Sequence, residues 1–199
     1  MKLTKFSKTV ALAIPTLVFP FAGPLFAQSS SSDPSSAACD ATIERAEITQ
    51  ISPTHSTVYT SVLIAATPDE VWQVLTNFDN MSSWSSNTLQ NLSGDLENGG
   101  DVVITFFFGT DTDGNPTANE IPHTLIFEDG FKFGWSDPLS ADIGGGNDNH
   151  LYQVVSCEEQ TLFIQSDEIV DNAYAANFID QLLPLYRLFN AELKGALEN

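Results

Sequence analysis

The chain has 199 residues, with 26 acids against 7 bases and a formal net charge of −19; hydrophobic residues make up 42% and charged residues 17%. That apolar fraction excludes a disordered chain, and the length fits one ordinary domain. The acidic balance argues against nucleic acid or anionic lipid headgroups as partners, since both require clustered Lys and Arg.

The chain opens on Lys2, Lys5 and Lys8, followed by an apolar run from Val10 to Ala22 and then Leu25-Phe26-Ala27 before Gln28. This three-part pattern predicts a secretory signal peptide over residues 1–27. Pro15, Pro20 and Pro24 break the run, which is short for a span of about 20 residues, so no stable membrane insertion is expected once the signal is removed. The remaining 172 residues keep four bases against 26 acids, a formal charge of −22. The expected location is exported, periplasmic or secreted. Residues 28–40 form a Ser-rich, disordered linker, and residues 41–199 form the folded domain. Two cysteines are too few for a disulfide-dense scaffold; export would let Cys39 and Cys157 pair, and the sequence leaves that pairing open.

Thr57 to Ile64 is β-branched and reads as the first strand. Thr67-Pro68-Asp69-Glu70 then gives a capping box with Pro at the first helical position, followed by Val71, Trp72, Val74, Leu75 and Phe78 at helical spacing. A second short helical segment is expected near Asp79 to Trp84. Strands follow over Leu89–Leu96, Asp101–Phe108, Pro122–Glu128 and Phe131–Ser136, the last two joined by a hairpin at Asp129-Gly130. Residues 137–149 read as a Gly-rich loop. A further hairpin is predicted over Leu151–Cys157 and Thr161–Val170. Ala173 to Leu197 carries Tyr174, Phe178, Leu182, Leu185, Leu188, Phe189, Leu193 and Leu197 at three- and four-residue steps, the mark of an amphipathic helix, with Pro184 as a kink. Such a helix must lie against the sheet.

The segment Val62-Leu-Ile-Ala-Ala-Thr-Pro-Asp-Glu-Val-Trp-Gln-Val-Leu-Thr-Asn-Phe-Asp79, the Trp at 84, and the closing stretch from His150 to Glu198 resemble the START-like, Bet v 1-like superfamily. Within it they are similar to the polyketide cyclase/dehydrase-type lipid-binding domains. The resemblance spans about Thr57 to Glu198 and is carried mainly by its two ends; Asp171 stands where many members have Gly. It implies an α+β helix-grip fold: a curved antiparallel sheet of about six to seven strands wrapped around a long C-terminal helix, with two short helices after the first strand. It also implies a cavity for an apolar molecule. The candidate lining is Trp72, Trp84, Phe106, Phe108, Trp135, Tyr152, Phe163, Tyr174, Phe178 and Leu182, and a continuous interior void of a few hundred Å³ is expected.

Catalytic candidates are sparse. His150, Tyr152 and Glu168 are weak candidates for acid–base work; Asp167 and Glu168 are adjacent in a strand, so only one of them faces inward. The bland alternative for the carboxylates is a solvated face or an ion pair with Arg187, and for His150 and His123 a structural hydrogen bond. No metal is expected, because the histidines lack ligand spacing and Asp111 to Asn115 has its Gly in the wrong place for an EF-hand. Gly144-Gly-Gly146 lacks the context of a phosphate loop, and no nucleophile elbow is present. Asn80-Met-Ser82 and Asn91-Leu-Ser93 are sequons that matter only in a eukaryotic secretory host. The sequence therefore favours an exported, cofactor-free binding or carrier protein for a hydrophobic small molecule, lipid-like or aromatic and polyketide-like. The alternatives are a cyclase/dehydratase-type enzyme acting in the same cavity, and a solid interaction module with a partner on its acidic surface.

Overall fold

In a computed structural model, Cys39, residues 44–86 and residues 88–199 are described, Phe108 by its backbone only. The predicted signal peptide, and the linker apart from Cys39, lie outside the described residues.

Eight strands form one antiparallel sheet in the order β1-β2-β8-β7-β6-β5-β4-β3. They are β1 (Glu44–Ser52), β2 (His55–Ile64), β3 (Leu89–Gly94), β4 (Asp101–Thr110), β5 (Pro116–Glu128), β6 (Lys132–Pro138), β7 (Asn147–Cys157) and β8 (Gln160–Val170). The helices are α1 (Pro68–Leu75) and α2 (Ala175–Glu198), with 3-10 turns at Phe78–Ser83 and Ala141–Ile143. This is the expected helix-grip architecture with one strand more than the upper expectation. The added strand is β1, whose residues are almost all exposed. The two short helical segments consequently follow the second strand rather than the first.

Local chemistry sets the turn from β2 into α1. Thr67 Oγ1 accepts from the Glu70 amide, and the Glu70 carboxylate accepts from the Thr67 amide at 2.9 Å. This capping box is worth about 1 kcal/mol and points α1 back across the sheet. Trp72 and Leu75 then enter the main core with Phe78, Met81, Leu89, Ile104 and Phe133. At the other end Asp171 adopts φ +55°, the left-handed region that glycine enters most cheaply, and turns β8 into α2. Asn172 ties this corner together, its amide donating to the carbonyls of Ile143 and Gly145.

The helix α2 packs on β1, β2, β8 and α1. Its first half, with Ala175 and Ile179 buried and Phe178 and Leu182 partly so, meets Val58 and Ile169. Its second half sends Phe189 and Leu193 into the main core. Pro184 lies between them. Cys39 is disulfide-bonded to Cys157, the last residue of β7. No helix among the described residues is long and apolar enough to cross a membrane.

Candidate functional site under the long helix

Strand register places one row of side chains straight across the face that meets α2. Val58 lies opposite Asp167, Asp167 opposite His150, His150 opposite Trp135, and Trp135 opposite Leu125. The adjoining inner row runs Thr60, Gln165, Tyr152, Phe133, Phe127. On the other side lie Ser56, Ile169, Asp148 and Asp137. A strand alternates its faces, so Asp148, His150 and Tyr152 point one way and Asn149 the other.

This arrangement buries a polar chain. Tyr186 reaches down from α2; its hydroxyl donates to Asp167 Oδ2 at 2.5 Å and lies 3.2 Å from His150 Nδ1. His150 Nε2 is 3.0 Å from the Gln165 amide nitrogen. Trp135 Nε1 donates to Asp148 Oδ2 at 2.9 Å. With the Gln165 amide donating, the network assigns the His150 proton to Nδ1, so hydrogen bonds run from Gln165 to His150 to Tyr186 to Asp167. His150, Gln165, Asp167 and Tyr186 are all buried. Three buried oxygens, Gln165 Oε1, Asp148 Oδ1 and Asp167 Oδ1, have no donor partner. Unmet acceptors in a core are costly, so each calls for a partner.

Burial governs the titration of this chain. It lowers His150 from its ordinary 6.5 to about 3, helped by the charge of His123, so the imidazole is neutral. Asp167 is pushed well above the usual carboxylate range, first by burial and then by the neighbouring Asp148 carboxyl, against the opposing hydrogen bond from Tyr186. Tyr152 and Tyr186 are both pushed up, chiefly by burial and next by Asp167. The Tyr186 hydroxyl bridges the 4.0 Å approach of His150 Nδ1 to Asp167 Oδ2, and burial disfavours the charged form of both groups.

Aromatic rings wall the chain. Tyr152 stacks on His150 at 4.5 Å and on Phe133 at 4.7 Å, and Phe189 meets Tyr152 at 5.4 Å. Trp135, Phe133, Phe163 and Phe189 are buried with them. The space expected to be a continuous void is thus filled by aromatic side chains where α2 meets β7 and β8. Two open grooves lie elsewhere. One, of about 490 Å³, is lined by residues of β3, β4 and β5 together with Asp137. It sits where β5 and β6, which pair only from Leu125 to Glu128, part company. Asp137 reaches over that split to His123 Nδ1 at 2.9 Å and the Thr124 amide at 3.2 Å. The other, of about 280 Å³, lies between α1 and the end of α2.

The sequence candidates separate accordingly. His150 and Tyr152 come together in the chain. Glu168 is on the opposite face, half exposed, bonded to His55 at 2.7 Å and to Asn149 at 3.2 Å. Asp167, its neighbour, is the inward residue, and Arg187 pairs with Glu44 instead of either carboxylate. Of the lining candidates, Trp135, Tyr152 and Phe163 are at the site. Trp84 covers Phe189 at 5.1 Å, Phe106 abuts Trp135 at 5.6 Å, and Trp72 is buried further off with its indole on Asp129. Phe178 and Leu182 belong to the first half of α2, and Tyr174 is 57% exposed, outside the interior. The Phe108 side chain lies outside the described residues. Asp111 is satisfied by Asp113 and Asn115 in a self-contained turn, and among the described residues no His, Cys, Asp or Glu group is arranged to hold a metal. Asp148, Gln165 and Tyr186 were not among the sequence candidates. The period-two spacing of Asp148, His150 and Tyr152 is the signal that links the first of them to the site.

A family model described as "Polyketide cyclase / dehydrase and lipid transport" matches residues 55–121. Among solved structures, the Zhui aromatase/cyclase from a Streptomyces species superposes with a TM-score of 0.53 at 13% identity, covering 72% of this chain and 94% of that one. The family model covers residues 55–121 of the 199, and over that stretch the chain is similar to the polyketide cyclase/dehydrase family. A truncated norcoclaurine synthase from Thalictrum flavum matches the chain with a TM-score of 0.51 at 18% identity, covering 76% of this chain and 99% of that one. A Rhodobacter sphaeroides protein matches it with a TM-score of 0.55 at 16% identity, covering 77% and 98%. No curated protein matches in sequence. At these identities the likeness is one of fold.

Proposed function

We propose that this START-like domain is an exported carrier that holds a small hydrophobic molecule between α2 and the sheet, with the molecule's polar group against the Gln165–His150–Tyr186–Asp167 chain. The observation that carries the reading is this buried polar chain set in an aromatic wall, with acceptors left unmet. Apolar burial would supply roughly 25 cal/mol per Å² of affinity before the costs of opening the interior, and the chain would orient the ligand. The family description, which includes lipid transport, supports the same class of ligand. The Cys39–Cys157 disulfide and the signal-like start support export, because such bonds persist in oxidising compartments.

A cyclase/dehydratase-type enzyme is the second reading, favoured by a carboxyl and an imidazole bridged by one tyrosine. The acid strength of His150 counts against it. A general base works best with a pKa near the working pH, and His150, held at about 3, is a feeble one. Native mass spectrometry of the protein purified from its own exported compartment tests the carrier reading. A co-purifying small molecule released by organic solvent supports it. A mass equal to the bare chain in every preparation, together with no uptake of added apolar compounds, defeats it.

A further inference from the structure

The two unmet carboxyl oxygens have a common explanation. Asp148 Oδ2 is taken up by Trp135 and Asp167 Oδ2 by Tyr186, leaving Oδ1 of each buried and without a donor. The register pairs Asp148 with Ile169 and His150 with Asp167, so the two carboxyls are diagonal neighbours on the same face of β7 and β8. Two carboxylates in that relation repel, whereas a carboxyl and a carboxylate bond through one proton.

We propose that Asp148 and Asp167 share a single proton that clasps α2 to the sheet, and that losing this proton frees the helix and admits a ligand to the interior. The structure makes Tyr186 the hinge pin of this clasp. Its hydroxyl is the buried side-chain hydrogen bond from α2 to the centre of the sheet, while the other polar links sit nearer the rim: Arg187 to Glu44, Glu192 to the Ser86 amide, Lys194 to the Leu63 carbonyl and Glu198 to the Ala65 amide. The second half of α2 is also what keeps Phe189 over Tyr152 and Phe163, so lifting it uncovers the aromatic wall. Pro184, two residues before Tyr186, lacks an amide donor and is where the helix most easily bends.

The groups facing the pair are His150 and Tyr152 from β7, Tyr186 from α2, Asp137 from β6 and His123 from β5; β2 presents Val58 and Thr60. None is a Lys or Arg, so no fixed cation neutralises a second negative charge. The sign follows. The closed state holds a proton that the open state, with solvated carboxyls, gives up. Opening is therefore favoured as pH rises, by about tenfold per pH unit for one proton until the closed pair itself ionises. His150 acts the other way below its ordinary 6.5, so the effect emerges above about pH 7.

This clasp rests on the carrier reading only in its last step, ligand entry. Hydrogen exchange of the α2 amides from 182 to 193, corrected for intrinsic rates, tests it on the full chain from pH 5 to 9, in the wild type and in Asp148→Asn. Asparagine still accepts from Trp135 and offers its amide to Asp167 without the charge. The expected result is that wild-type protection falls above pH 7 by up to about tenfold per unit relative to the variant, while β7 and β8 amides stay protected. Parallel pH profiles in wild type and Asp148→Asn overturn the clasp. Should that variant not fold, Asp167→Asn serves, and the wild-type profile alone still decides: protection of α2 that is constant, or rises, from pH 7 to 9 overturns it. Uptake of the neutral probe N-phenyl-1-naphthylamine is measured alongside. Opening with uptake supports both ideas; opening without uptake supports the clasp and refutes the carrier reading.

Discussion

Replacing Tyr186 by Phe removes one oxygen and leaves the ring. The ring still fills its place against His150, 4.7 Å away, so no cavity is made. What is lost is the hydroxyl that donates to Asp167 Oδ2 and accepts from His150 Nδ1. Tyr186 is 5% exposed and His150 and Asp167 are 2% exposed, so water does not replace it. Each stranded buried group costs about 1–3 kcal/mol, and two are stranded. The expected loss is about 2–5 kcal/mol, at the upper end if Asp167 is forced to find its proton elsewhere. Urea denaturation at pH 6 with unchanged slope reads this as a lower midpoint. Tyr174→Phe, at a side chain 57% exposed, is the control and should shift stability by less than about 0.5 kcal/mol. A Tyr186→Phe loss as small as that of the control would refute the buried chain.

Phe189→Ala should cost about 3–5 kcal/mol, because the ring is fully buried against Trp84, Tyr152 and Phe163, and the hole should increase uptake of small aromatic compounds; an unchanged midpoint would show that the aromatic wall is not packed. Reducing the Cys39–Cys157 bond, or replacing both by Ser, should lower stability by up to about 5 kcal/mol, since the link spans 118 residues of the unfolded chain. A guanidinium midpoint unmoved by reductant would contradict this. His150 should stay neutral down to about pH 4, visible as ring resonances constant from pH 8 to 4, whereas a midpoint near 6.5 would place it in solvent. Its folded pKa lies below its unfolded one, so its share of stability is present above pH 6.5 and is lost as pH falls toward about 3.

Local chemistry was readable where it depends on neighbours in sequence. Thr67 to Glu70 forms the capping box its letters describe, and the apolar steps of α2 run along a real helix. Strand β1 escaped because Glu44 to Ser52 is an edge strand with a solvated face, carrying no apolar alternation. The extension of β7 back to Asn147 was hidden by the glycines before it and the polar residues Asn147, Asp148 and Asn149, which read as loop. That misreading also concealed Asp148. For the site, the alternation rule allowed one of Asp167 and Glu168 to face inward, and the register with His150 chooses Asp167. Tyr186 was invisible for another reason: on an apolar helical stripe an aromatic residue reads as core, and only the strands opposite show that its hydroxyl has a partner. The filling of the interior depends on ring-against-ring packing between β6, β7, β8 and α2, which no sequence spacing encodes.

The account stands on an apolar molecule being held beneath α2. A crystal structure of the full chain grown at alkaline pH with N-phenyl-1-naphthylamine measures this directly. The account predicts the probe between α2 and the β7–β8 pair, touching Tyr152, Phe163 and Phe189. A probe lodged in the groove at the β5–β6 split, with Phe189 still seated on Tyr152, would contradict it.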